Sequence, residues 1–173
     1  LSNFFLNEHP IKVNSTYSSL SNYKKIIDDC NFWTKYKNGI SGSFWISKTA
    51  TGSRNDLKIK IFGSQGMLEW EHIKPENLNI YNLNGEKKII DRASSKFEAS
   101  RKRYNRYKVG HPDGFFEAFA NMYCDIASDL RSFKKKIYKK SIYTSDFECS
   151  RKIINFFNAS KISSIKNKWV NIK

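Results

Sequence analysis

Cysteine is scarce in this chain. Cys30, Cys124 and Cys149 form an odd set with no CxxC pair and no histidine nearby at metal-ligand spacing. Neither a disulfide framework nor a zinc site is indicated, and reduced thiols are expected. Long apolar runs are missing as well. No stretch approaches the ~20 residues that span a bilayer, and no signal-peptide pattern opens the sequence, so a soluble, cytoplasmic protein without a membrane partner is expected. Negative charge is in short supply, with 16 acidic residues against 31 lysines and arginines and a formal net charge of +15. Such an excess suits an anionic partner such as nucleic acid. The excess is mostly lysine, however, in a sequence equally crowded with Asn and Ile, and a compositional bias acting on the whole chain explains it as well.

What is present is enough to fold. The 173 residues fit one domain over 1–173, and a domain of that size buries roughly 70% of the surface its unfolded chain exposes. Hydrophobic residues make up 39% and aromatics 15%, too much apolar material for a disordered chain. The first residue is Leu1, and Leu1–Leu6 reads as the last turns of a helix, so a segment upstream is expected.

After His9-Pro10, where the proline pushes its predecessor out of the α region, alternation from Ile11 to Leu20 predicts a strand. Two further alternating stretches, Asp28 to Lys37 and Ile40 to Thr49, flank Asn38-Gly39, a pair that tolerates the positive φ of a tight hairpin. Leu57 to Phe62 and Met67 to Glu71 follow around Gly63-Ser-Gln-Gly66, then Leu78 to Leu83 and Lys87 to Asp91 around Asn84-Gly85. Six or seven short strands in sequence predict a large open, mostly antiparallel sheet. From Asp113 the period changes: Phe115, Phe119, Met122, Ile126, Leu130 and Phe133 mark one face of a helix, with Pro112 just before it. A second helix is expected from Ser145, with Glu148 at capping-box spacing, and the tail Lys168 to Ile172 can add a strand. Strands followed by helices predict an α+β domain with helices packed on one sheet face.

Two segments carry candidate chemistry. In Gly110-His111-Pro112-Asp113-Gly114, the proline and aspartate start a helix and leave His111 at its mouth. An imidazole there can exchange a proton with a bound hydroxyl, or it can serve only as local packing; the pattern leaves both open. In Trp45-Ile-Ser47-Lys48, Trp45 and Ser47 share a strand face and offer an apolar platform beside a hydroxyl, a mixture suited to a polyhydroxylated ring. Phe62 and Trp70 read as core fillers.

The order W-x-S, then L-x-I-x-I-F-G-x-x-G-x-L-E-W from Leu57 to Trp70, then G-H-P-D-G-F-F-E-A-F-A-N-M-Y from Gly110 to Tyr123, resembles the C-terminal domain of the glucose-fructose oxidoreductase, inositol dehydrogenase and MocA (Gfo/Idh/MocA) family. The likeness runs from about Leu1 to the end. It implies a substrate-binding and oligomerisation domain of an NAD(P)-dependent oxidoreductase of sugars or polyols. Its partners would be an N-terminal Rossmann domain absent from this chain and further copies joined through the open sheet. The family's catalytic Asp and His would fall before Leu1, so no catalytic residue is assigned and His9 does not inherit the role. With no G-x-G-x-x-G turn after a strand, the chain should bind neither NAD nor NADP by itself, and the isolated fragment should be inactive. By motif position His111 is the first candidate for substrate contact, followed by Trp45, Ser47 and Lys48. The arginine- and tyrosine-rich run 101–108 departs from the pattern: it reads as a solvated loop, as an anionic-substrate site, or, as the alternative function, as part of a basic nucleic-acid-binding or scaffold module.

Overall fold

The computed structural model describes residues 1–94, 101–137 and 141–173. It is α+β, in the order α1 (Ser2–Leu6), β1 (Lys12–Ser18), β2 (Asp29–Lys35), β3 (Ser41–Ser47), β4 (Lys58–Gly63), β5 (Gly66–Glu71), β6 (Leu78–Asn82), β7 (Lys87–Ile90), α2 (Phe115–Lys134), α3 (Phe147–Lys166) and β8 (Val170–Asn171). The strands form two four-stranded antiparallel sheets, β3-β2-β1-β8 and β4-β5-β6-β7. The single ladder expected from the run of strands is interrupted where Thr51 to Asp56 turns instead of pairing. The chain divides accordingly into two compact units, Leu1–Gly52 with Ser145–Lys173, and Ser53–Thr144.

In the first unit the alternation read from the sequence sets the faces. Ser15, Phe32 and Phe44 stand in one cross-strand row, and Val13, Phe32 and Ala159 form the buried core, flanked by Tyr17, Cys30, Phe44, Phe156 and Val170. The buried side of α3 is small, Ala159, Ser160 and Ser163, which lets the helix approach the strand closely. β8 covers the edge of β1 only at Lys12 and Val13. Farther along, serine hydroxyls of α3 take the edge amides: Ser15 N–H donates to Ser163 Oγ at 3.1 Å and Tyr17 N–H to Ser164 Oγ at 3.0 Å. Ser15 Oγ in turn donates to the Ser160 carbonyl. A buried amide left without a partner costs about 1–3 kcal/mol, so these hydroxyls supply what a longer β8 would have supplied.

Asp146 caps α3, accepting from Cys149 N–H at 2.7 Å. The cap therefore falls one residue after the expected Ser145 and the helix begins at Phe147, and Glu148 pairs with Arg151 instead of closing a box on Ser145. The Asn38-Gly39 hairpin joins β2 to β3 as antiparallel neighbours, with Lys35 opposite Ser41 and Gly39 at φ 82°.

In the second unit β4 to β7 form a meander. One face is apolar, with Ile59, Trp70, Leu78 and Ile90 in a row. The other carries a charge ladder in which Lys58 meets Glu71 at 3.3 Å and Lys60 meets Glu69 at 3.1 Å. Phe62 ends that ladder 75% exposed and is not core. Trp70 is half-buried, its indole N–H donating to the Pro75 carbonyl.

α2 turns out opposite to its pattern. Asn121 and Asp125 are the buried positions, while Phe115, Leu130 and Phe133 of the apolar stripe are exposed. The helix begins at Phe115, with Gly114 N–H donating to Glu117 Oε2 at 2.8 Å. Asp113 does not start it, because its carboxylate is held by Arg92.

Candidate functional site

The sequence candidates fall in both units. Trp45, Ser47 and Lys48 lie on β3 and its end in the first, and His111 lies in the loop before α2 in the second. Each group is therefore built from its own surroundings.

On the sheet face away from α3, register places Thr16, Asn31 and Trp45 in one row and Ser18, Asp29 and Ser47 in the next. Trp45 is 62% exposed, and its indole N–H donates to Asp29 Oδ1 at 2.8 Å, which fixes the ring plane over a buried carboxylate. Ser47 Oγ accepts from Thr49 N–H at 3.2 Å and meets Thr49 Oγ1 at 3.0 Å. Its hydroxyl thus closes a local turn and keeps limited capacity for a ligand. Lys48 is exposed and tied by its backbone, N–H to the Asp28 carbonyl at 2.7 Å. Asp28 in turn accepts from the Leu20 and Ser21 N–H groups, and its carboxyl is held below the usual range by the Ser21 side chain first and then by the Leu20 N–H. An exposed indole with a nearby carboxylate, amide and hydroxyls can stack on a sugar ring and hydrogen-bond its edge. Cys30, on the opposite face, is pushed up by burial and then by Asp29, so it stays a thiol rather than a nucleophile.

In the second unit His111 is exposed, and its Nδ1 lies 3.2 Å from the Lys108 carbonyl. Its own carbonyl accepts from Arg92 Nη2 at 2.6 Å. Arg92, absent from the sequence candidates, is 7% exposed and also reaches Asn105 Oδ1, the Tyr107 carbonyl and Asp113 Oδ2, with Nε against Glu76. Nothing local in the sequence marks it, since two of its acceptors are backbone carbonyls.

The 101–108 run is exposed at Arg101, Lys102, Arg106, Tyr107 and Lys108, as a solvated loop would be, but it also ties side chains into the fold. Arg103 makes a two-pronged pair with Asp125 and stacks on Tyr143 at 4.5 Å and Tyr104 at 5.4 Å; Asp125 raises its already high basicity. Arg106 donates to Asn121 Oδ1, and Asn121 returns a bond to the Arg103 carbonyl. The signal available was the spacing of Asn121, Asp125 and Asp129 four residues apart on a helix, a polar stripe able to receive those arginines. Two of the cations invoked for a nucleic-acid groove are thereby spent inside the fold.

On the charge-ladder face an open concavity of about 220 Å³ is lined by Glu69, Glu71, Asn79 and Lys87 among others. It holds none of the sequence candidates, and both its carboxylates are paired with lysines. Among the described residues no cluster of His, Cys, Asp and Glu could hold a metal ion, and no helix is long and apolar enough to cross a membrane. A dinucleotide cradle needs a strand, a glycine-rich turn and a helix in succession. The described strand pairs are all antiparallel, and α2 follows a loop, so these residues do not fit NAD(P).

The sequence model described as "Oxidoreductase family, C-terminal alpha/beta domain" matches residues 1–172. An uncharacterized oxidoreductase of Bacillus subtilis, YfiI, is 25% identical over 150 residues, covering 84% of this chain and 38% of its own length. Among solved structures, an oxidoreductase from Pseudomonas syringae superposes with a TM-score of 0.86 at 21% identity over 99% of this chain and 48% of that one. An inositol dehydrogenase homolog from Azotobacter vinelandii, complexed with NAD+, does so with a TM-score of 0.86 at 19% identity over 98% and 45%. The chain spans about half the length of these solved proteins, and less of the curated one.

Proposed function

The chain belongs to the oxidoreductase family as its C-terminal alpha/beta domain, and from that premise we propose that it binds the substrate, and joins the subunits, of a cytoplasmic NAD(P)-dependent oxidoreductase acting on a sugar or polyol. The cofactor and the catalytic residues would come from an N-terminal Rossmann domain of the same polypeptide. The inositol dehydrogenase homolog's NAD+ complex supports this reading by likeness of fold alone.

The observation that carries it is the His111 ring. It sits exposed in the most family-like motif of the sequence, held from behind at its own carbonyl, with one ring nitrogen engaged and the other without a partner among the described residues. An imidazole so placed can exchange hydrogen bonds with a ligand hydroxyl. Trp45 beside Asp29 supports the sugar-ring reading more weakly. The open face that bears Trp33, 44% exposed, and Trp45 supports assembly through the sheet.

The test is turnover of myo-inositol and common aldoses by the complete polypeptide with NAD+ and NADP+, beside the 173-residue chain. Oxidation by the complete polypeptide alone is expected, with KM raised at least about tenfold in His111→Phe. Turnover or tight NAD+ binding by the 173 residues alone would contradict the domain assignment.

A further inference from the structure

Arg92 and the loop it holds give a more specific statement about His111. The guanidinium is buried between β7 and the 105–113 segment, and the Asp113 side chain that meets it at 2.7 Å is only 6% exposed. Asn105 binds Arg92 twice, accepting from Nη1 at 3.0 Å and donating from Nδ2 to the Arg92 carbonyl at 3.0 Å. The His111 carbonyl and the Asp113 carboxylate, two residues apart, are thus clamped by one rigid planar fork.

The carbonyl of Lys108 can only accept, so the Nδ1 that approaches it carries the proton, and the neutral ring keeps Nε2 as a bare acceptor. We infer that Arg92 is a positioning residue: by fixing the 105–113 loop it holds His111 in the Nδ1–H tautomer and presents Nε2 to accept a hydrogen bond from a ligand hydroxyl. The ligand part rests on the reading of His111 as the polyol contact; the tautomer part does not. It also sets the ligand's chemistry, a hydroxyl that donates rather than a carbonyl that accepts.

The chain has three histidines, and the other two serve as controls. His9 Nδ1 accepts from Asn3 Nδ2 at 2.9 Å and therefore belongs to the Nε2–H tautomer. His72 Nδ1 donates to the Asn55 carbonyl at 3.2 Å and shares the Nδ1–H form of His111. Ring-nitrogen NMR shifts of the neutral imidazoles should show one Nε2–H and two Nδ1–H rings. In Arg92→Lys a single ammonium cannot span Asp113 and the His111, Tyr107 and Asn105 acceptors at once. His111 should then move to a mixture of tautomers while His9 and His72 stay put. An unchanged His111, or all three rings moving together, would overturn the inference. If Arg92→Lys does not fold, Asn105→Ala decides: it removes two bonds of the clamp, so a smaller shift of His111 alone supports the inference and an unmoved ring defeats it.

In the complete polypeptide, Arg92→Lys should raise KM for the polyol about tenfold with kcat nearly constant, and should add nothing in a His111→Phe background. Additive effects would mean that Arg92 acts on the fold at large. If His111→Phe alone leaves KM unchanged, the substrate reading fails, while the tautomer experiment still judges Arg92.

Discussion

At the level of single residues, the pairings made by charged groups decide what is available for function. Arg103 and Asp125 form a pair with side chains 30% and 11% exposed. Removing one partner of a fully buried pair costs about 3–5 kcal/mol, whereas exposed pairs contribute about 1 or less. Asp125→Ala should lie between, at about 2 kcal/mol in urea unfolding. If Arg103 instead served a polyanion, the variant would fold as stably as the parent. Trp45→Phe keeps the apolar plane but removes the donor to Asp29, and should cost about 1–2 kcal/mol, since a hydrogen bond to a charged group is lost at a half-covered site. His111 and Trp45 stood out as candidates in the sequence because short motifs surround them. Arg92 did not, because its side-chain acceptors stand far along the chain, Glu76 16 residues upstream and Asn105 and Asp113 13 and 21 residues downstream.

At the level of elements, turns and alternation were read well and helix orientation was not. The glycine hairpins illustrate why: Gly39 and Gly85 adopt the positive φ that a glycine in a tight turn announces, 82° and 84°, while Asn38 and Asn84 stay outside that region. Gly66, at φ 142°, has a further demand invisible in sequence, because a Cβ there would collide with the Tyr81 backbone of the neighbouring strand. Gly85 has open space around it. Gly85→Ala should therefore cost only the left-handed strain, about 1 kcal/mol, while Gly66→Ala should cost about 3 kcal/mol or more, or displace β6; equal melting temperatures would refute the distinction. The sequence pattern of α2 shows an apolar stripe and a polar one, and periodicity cannot say which a protein buries. Here Asn121 and Asp125 find partners in the 101–108 run, and those hydrogen bonds select the polar side. The same logic places Ser160 and Ser163 inward on α3. Ser163→Ala should cost about 1–3 kcal/mol, since it strands the Ser15 amide at the edge of β1.

At the level of the whole molecule, the charge of +15 makes stability depend on pH in a direction that can be worked out. Glu69 is held below its ordinary 4.5 by Lys60 first and then Tyr81, and Glu117 by the Gly114 N–H. A carboxylate whose folded value is depressed stabilises the protein above its unfolded value, and that contribution is lost as pH falls through the folded one. Both should therefore act in full above about pH 4.5 and fade below it, while each carboxylate neutralised also adds to the positive self-repulsion. His9 behaves alike at higher pH. Burial and then Lys152 lower it from 6.5, so its contribution is complete above 6.5 and declines as pH falls from there toward its folded value. Melting temperature followed from pH 8 to pH 3 should show a shallow step below 6.5, abolished in His9→Gln, and a steeper fall below 4.5. The double variant Glu69→Gln/Glu117→Gln should flatten the second fall and leave the first. Added salt should lift the acid branch most, because screening acts on self-repulsion between exposed charges more than on the paired groups inside. A curve that salt shifts evenly at every pH would assign acid sensitivity to the buried pairs alone.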